Sequence, residues 1–287
     1  MSIAVVVPTI REEWWKKFVK KWKPLFLRHN CHVIKVEDGA SPRLIHLDNI
    51  FDVHDVMGEN KDLIYNQSDC VRNLGFAYIA KFMPDIEYII TLDDDVSPVG
   101  DTIADHLKTL SRRVPISWLS TLIEDYSRGF PYGIRDEAEV VLSHGLWEGV
   151  KDYDAPTQLV KEDCFSDYYV GPIPKGAYYP MCGMNVAFKR KMLPYMYFAP
   201  MGYMVGLDRF ADIWLGIESK KVIDKNKWAV FTGGAVVHHE KASDVWVNMK
   251  KELPGLKMNE SYGKGNYFEL YKEKRERWQK LILKLIS

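Results

Sequence analysis

Three consecutive aspartates, Asp93-Asp94-Asp95, follow directly on the apolar run Tyr88-Ile89-Ile90-Thr91-Leu92. Adjacent carboxylates repel one another unless cations or hydrogen bonds hold them, and a hard divalent ion shared with a substrate phosphate is the usual partner. The plainer alternative is a solvated acidic turn ahead of a helix capped by Asp101. Two further polar turns end apolar runs. Pro8-Thr9 closes Ile3 to Val7, and Glu37-Asp38-Gly39 closes His32 to Val36. A carboxylate at Asp38 can accept from a base N–H or a ribose hydroxyl, against the simpler Asp-Gly turn. Arg72-Asn73-x-Gly75 offers a guanidinium for a diphosphate or base carbonyl and a glycine for close approach; a surface arginine fits equally well. His238-His239 ends another strand-like run, and one neutral imidazole there can ligate a metal. Cys182 is best read as a small buried hydrophobe, and Trp14, Trp15 and Trp22 as helix packing. Lys175 and Lys250 suit phosphate contact or a solvated surface equally.

The elements that must position these groups alternate. Strands are expected at 3–7, 32–36 and 87–92. Helices are expected at 12–29, where Pro24 ends or kinks the helix or opens a second one, at 69–82, and from Asp101 to about Arg113. That order predicts an open, mostly parallel α/β sheet with right-handed crossovers, which binds ligands outside the carboxyl ends of its strands. All three polar turns fall at that edge. Residues 115–190 are rich in Gly, Pro, Tyr and Trp and suit long ordered loops with strand pieces at 139–142 and 184–188. A helix at 208–221, one or two strands at 228–238, a helix at 243–252 and an amphipathic helix at 266–286 complete the chain. There is no repeat and no flexible linker.

Composition bounds the function. Of 287 residues, 47% are hydrophobic and 27% charged, which excludes a disordered chain. Lys+Arg and Asp+Glu are both 39, so no global basic excess favours direct nucleic-acid binding. Cys31, Cys70, Cys164 and Cys182 form no CxxC pair, which argues against a zinc knuckle or a thioredoxin-type site. Scattered cysteines suit a reducing compartment. The start reads as a strand rather than a signal peptide, and no stretch approaches the ~20 apolar residues of a membrane span. A cytoplasmic protein is expected, and a homo-oligomer is compatible with the sequence.

The strand followed by an Asp triplet resembles nucleotide-sugar glycosyltransferases of the GT-A fold. Longer segments resemble one family closely, the plant reversibly glycosylated polypeptides or UDP-arabinopyranose mutases (glycosyltransferase family 75). These segments are Val7-Pro8-Thr9-Ile10-Arg11, Val36-Glu37-Asp38-Gly39, Arg72 with Gly75, and the Asp triplet. They continue with Arg128-Gly129-Phe130-Pro131 and Arg135, Ser143-His144-Gly145-Leu146-Trp147, and Asp152-Tyr153-Asp154-Ala155-Pro156-Thr157-Gln158-Leu159. Ile173-Pro174-Lys175-Gly176, Pro180-Met181-Cys182-Gly183-Met184-Asn185, Asp212-x-Trp214 and His239-x-Lys241-Ala242-Ser243 follow, then Val247-Asn248 and Lys250-Lys251-Glu252. The similarity spans about residues 3–252.

The resemblance implies a GT-A-like nucleotide-sugar domain over 1–252, with 253–287 a helical extension packed on the core. It implies interconversion of UDP-arabinopyranose and UDP-arabinofuranose with a divalent metal, Mn²⁺ or alternatively Mg²⁺, and no flavin. It also implies a sugar carried reversibly on an arginine, by position Arg128, with Arg135 its neighbour. Where the family has Arg-aromatic-Asp-Asp, this chain has Arg209-Phe210-Ala211-Asp212, so the catalytic carboxylate is Asp212. Asp93, Asp95 and His239 are the expected metal ligands. Pro8, Thr9, Arg11, Asp38, Arg72, Asp94, His144, Trp147, Asp152, Asp154 and Asn185 are the expected substrate contacts. The alternative is a glycosyltransferase moving sugar from a UDP-sugar to a separate acceptor; a scaffold that has lost catalysis fits the intact Asp triplet less well.

Overall fold

The computed structural model describes residues 1–117, 122–123, 125–161, 168–202, 205–240 and 243–287. Cys164, Lys241 and Ala242 lie outside the described residues. The strand β1 (Ile3–Thr9) is central because it is apolar on both faces, and two layers of helices cover it. Ala4 and Val6 point into one core, and Ile3, Val5 and Val7 into the other.

Along the chain come α1 (Glu12–Arg28), β2 (His32–Glu37), β3 (Arg43–His46), β4 (Asn49–Asp52), α2 (Val53–Met57), α3 (Arg72–Phe82), β5 (Tyr88–Leu92), β6 (Val96–Pro98), α4 (Thr102–Leu110) and β7 (Arg113–Val114). There follow β8 (Ala138–Gly149), α5 (Ala155–Val160), β9 (Gly171–Pro172), β10 (Asn185–Lys189), α6 (Ala211–Lys225), β11 (Ala229–His239), α7 (Val245–Glu260) and α8 (Asn266–Ile286). The sheet order is β4-β3-β2-β1-β5-β10-β8-β11-β6, with β7 beside β8 and β9 beside β11. β1 runs parallel to β2 and β5, and β8 parallel to β11; β10, β6 and the β3–β4 hairpin are antiparallel. The α/β class holds, with an open mixed sheet flanked by helices.

Several element boundaries differ from the expected ones. α1 runs unbroken through Pro24. Pro24 and Lys20, whose carbonyl loses its partner, both lie on the exposed side of the helix, where water can replace the missing N–H. Asp101 does cap α4, accepting from the Ala104 N–H at 3.1 Å, but that helix stops at Leu110. α7 continues through residue 252 to Glu260. α8 packs Phe268, Tyr271, Trp278 and Ile282 into the core that α3 and α6 share. The described helices contain none long and apolar enough to cross a membrane.

Parallel pairing sets the site. It brings the carboxyl ends of β1, β2 and β5 to one edge, where Thr9 lies opposite Glu37 and the Asp38 N–H bonds the Thr9 carbonyl at 3.0 Å.

Candidate functional site

A cleft of about 360 Å³ opens at this edge. Its walls are the turn after β1, the turn after β2, the segment entering α3, Asp93 and Asp94, the loop before α5, the segment entering α6, and α7; the expected metal ligands Asp95 and His239 are not in its lining. Among its described lining residues nine are acidic and four basic. Such an excess of negative charge in a cleft favours binding a cation together with any anionic ligand.

The three aspartates have three different environments. Asp93 is held by Arg72, which is 1% exposed and also donates to Thr91 Oγ1 (2.8 Å), the Gly183 carbonyl (3.3 Å) and Asp69 (3.4 Å). Burial alone would lower the Arg72 pKa, but Asp93 and Asp69 hold it above its ordinary value. Arg72 is therefore a fixed internal cation that positions Asp93; both of its terminal nitrogens donate to protein acceptors. Gly75, one turn on, lets α3 lie on the sheet: a Cβ there would meet Val6 Cγ1 at 2.5 Å. Asp94 is buried and accepts from Thr9 and from Arg11, tying the end of β1 to the end of β5. Asp95 lies 3.6 Å from Arg11 and leads into β6.

β6 pairs with β11 so that Val96 faces His239, and the Glu240 N–H bonds the Asp95 carbonyl at 2.9 Å. The pairing brings His239 beside Asp95. His239 is buried, and its Nδ1 lies 2.8 Å from the Val150 carbonyl. That carbonyl can only accept, so Nδ1 carries a proton, and in the neutral imidazole Nε2 is the nitrogen left with the lone pair a metal ligand requires. His238, one residue earlier, points outward toward Glu148 at 3.5 Å. The donor set of Asp95 carboxylate and His239 Nε2 fits a hard or borderline divalent ion. Asp93 is engaged by Arg72, and among the described residues no three such side chains converge on one point.

The same cleft contains Asp212. Its Oδ2 accepts the Gly183 N–H and its Oδ1 the Ile213 N–H, both at 2.8 Å. Gly183 permits this approach, because a Cβ there would lie 3.0 Å from the Asp212 Cβ. Burial, then the charges of Asp69 and Asp152, push the Asp212 carboxyl up to about 8. Asp69 is raised as well, first by burial, with Arg72 pulling the other way. Asp38, whose carboxylate accepts the Gln67 N–H, is pushed up to about 6, chiefly by burial and then by Asp69 and Asp208. Burial, then Asp152 and Asp212, raise the Cys182 thiol well above its ordinary value, so it is no nucleophile at neutral pH.

Of the expected substrate contacts, Pro8, Thr9, Arg11, Asp38, Arg72, Asp94, Asp152 and Asp154 line the cleft. Asp154 spends its carboxylate on capping α5, accepting from the Thr157 N–H (2.9 Å) and hydroxyl (2.8 Å). Asn185, His144 and Trp147 are not in its lining. Asn185 is buried, donating to the Leu146 (3.1 Å) and Ala235 (3.4 Å) carbonyls and accepting from His106 (2.8 Å). It ties β10 to its neighbours. His144 is buried with Nδ1 2.9 Å from Thr232 Oγ1, and burial followed by the nearby His106 lowers it to about 4. Trp147 packs edge-on to His144, with ring centroids 6.1 Å apart. Arg128 is exposed and outside the cleft lining. Arg135 stacks on Tyr132 at 3.7 Å and bonds the Phe130 carbonyl at 3.1 Å, bracing its own loop. Lys175 and Lys250 are exposed.

Asp69, Asp208, Arg209, Lys251 and Glu252 line the cleft without having been expected there. Asp69 carried a local signal, standing three residues before Arg72 at the start of a helix. Arg209, Lys251 and Glu252 stood in family-like segments, but only tertiary folding brings them to the Asp triplet.

The family model for reversibly glycosylated polypeptide matches residues 1–274. "Probable UDP-arabinopyranose mutase 4" of Arabidopsis thaliana is 36% identical over 284 residues, covering 90% of this chain and 75% of that protein. "UDP-arabinopyranose mutase 1" of Oryza sativa subsp. japonica is 34% identical over 280 residues, covering 89% and 74%. Among solved structures, the catalytic domain of Drosophila beta1,4galactosyltransferase 7 in complex with xylobiose aligns with a TM-score of 0.44 at 11% identity, covering 95% of this chain and 80% of that one. With a family match along nearly its whole length and relatives above one-third identity, the chain belongs to the reversibly glycosylated polypeptide family.

Proposed function

We propose that this protein interconverts UDP-arabinopyranose and UDP-arabinofuranose. One observation carries the assignment: Asp93 and Asp94, which can serve a nucleoside diphosphate, and the proton-holding Asp212 line a single cleft. The relatives named UDP-arabinopyranose mutase support the choice of substrate.

Thr9 and Asp38, at the ends of β1 and β2, would hold the uridine. Asp95 and His239 would hold a divalent ion, Mn²⁺ or Mg²⁺, with Asp93 kept alongside by Arg72. Such an ion supplies positive charge to the diphosphate. Ring contraction breaks the bond from C1 to the pyranose ring oxygen and forms one from C1 to O4. One proton leaves the O4 hydroxyl and one joins the old ring oxygen. Asp212, whose burial favours its protonated form, suits the donor, and the Asp152 carboxyl, which lines the same cleft, suits the acceptor. Thus no net proton is gained or lost. Arg128, exposed and outside the cleft, suits reversible glycosylation better than turnover.

The test incubates the protein with UDP-arabinopyranose and Mn²⁺ and separates the sugar nucleotides by chromatography. A UDP-arabinofuranose peak is expected, abolished by EDTA and restored by added metal. Release of free UDP only when a glycan acceptor is supplied would replace the mutase with a transferase.

A further inference from the structure

Arg209 has φ +69°, a left-handed conformation that a non-glycine residue keeps only when its surroundings hold it. The holder is Glu252 of α7. This carboxylate is 4% exposed; Oε1 accepts from Arg209 Nε at 2.7 Å, and Oε2 accepts the Ala155 N–H, in the first turn of α5, at 2.7 Å. One buried side chain thereby joins α7, the entry to α6 and the entry to α5. Gly255, three residues along α7, presses the same point, since a Cβ there would meet the Phe210 ring at 2.4 Å. The terminal nitrogens of Arg209 have no protein acceptor among the described residues, although Arg209 lines the cleft. The charges that bear on it are those of Glu252, Asp152 and Asp69.

We propose that Arg209 is a substrate-binding residue that donates to hydroxyl oxygens of the sugar, and that Glu252 is its positioning residue. A second phosphate is a poor occupant here, because carboxylates outnumber cations around Arg209 and would repel it. A neutral polyol fits, with its hydroxyl protons given to Asp152 and Asp69 and its oxygens receiving the guanidinium. The inference rests on the UDP-sugar assignment above, and it orients the substrate: diphosphate at the Asp triplet, pentose at the Arg209 end. Neither residue was expected to act, and Glu252 acts only through Arg209.

Calorimetric titration with UDP and with UDP-arabinopyranose, at one fixed metal concentration, tests the assignment. Arg209→Ala should weaken UDP-arabinopyranose by about ten-fold or more while moving UDP by less than about two-fold, the loss of a charged hydrogen bond to the sugar alone. Arg209→Lys should restore part of that loss. Glu252→Gln, which offers one acceptor oxygen to two donors, should show the same sugar-selective loss in milder form. Equal weakening of both ligands would move Arg209 to the diphosphate, and no change in either would make it structural; each result overturns the proposal. Wild-type protein that binds neither nucleotide would sink the UDP-sugar assignment and this inference together. Unaltered UDP affinity also reports a folded cleft, and should Glu252→Gln misfold, the two Arg209 variants still decide.

Discussion

At the scale of single residues, identical side chains in a row have unlike roles because each faces a different partner. Asp93 meets the buried Arg72, Asp94 meets Thr9 and Arg11, and Asp95 lies beside the His239 that β11 delivers. Asp212 differs from all three because burial and two neighbouring carboxylates favour its protonated form. The folded state keeps that proton up to about pH 8, whereas an unfolded aspartate releases it near pH ~4. Asp212 therefore lowers stability progressively as pH rises between those limits. Asp212→Asn gives up one of two acceptor oxygens but cannot ionise, so its melting temperature relative to wild type should rise by about 2 °C or more between pH 4 and pH 8 in thermal scans. The same variant should lose on the order of 10²-fold in turnover. For the wild type, donation by Asp212 should fail as pH climbs through about 8, and the rate profile should fall there.

At the scale of elements, the cleft depends on helices docked by short polar ties. Asp101 caps α4 and at the same time takes Arg28 (2.9 Å) and His29 (2.8 Å) from the end of α1. It therefore joins the two helices covering one face of the sheet, away from the cleft lining. Asp101→Ala should cost about 1–2 kcal/mol, read by urea unfolding, with nucleotide affinity unchanged. The strong helices and the buried strands were legible because their apolar residues recur at 3.6 or run unbroken. The β3–β4 hairpin was not: Arg43–His46 and Asn49–Asp52 are short, half polar, and held chiefly by pairing with β2 and each other. The extra turns of α7 were hidden by Pro254 and Gly255, which local propensity reads as a stop but which tertiary contact with Phe210 accommodates.

At the scale of the molecule, one sheet separates two cores, and α8 completes the one behind the cleft. Trp278 is fully buried, stacks on Tyr197 at 5.4 Å between centroids, and donates to the Leu193 carbonyl at 3.1 Å. Asp62, held by Arg277 at 2.7 and 2.8 Å, clamps the exposed side of the same helix. Trp278→Ala should cost about 3–5 kcal/mol in equilibrium unfolding, in the range of large aromatic truncations. Because Trp278 shares its core with Phe198 and Trp214, whose neighbours carry the cleft, the loss should appear in stability before it appears in nucleotide affinity.

By itself the sequence determined the α/β class, the polar turns at the ends of β1, β2 and β5, and the family, because these depend on local periodicity and on contiguous segments. It also singled out Asp212 and the Asp triplet as the residues to watch. Only the tertiary structure decided what those residues touch. Arg72 became a buried counter-ion, Asn185 a tie between strands and Asp154 a helix cap, since a buried polar group must find a partner wherever the fold supplies one. The tertiary structure likewise brought Arg209, from the segment entering α6, and Glu252, from α7, to the cleft. No spacing along the chain encodes that approach, because it arises from the packing of helices more than one hundred residues beyond the Asp triplet.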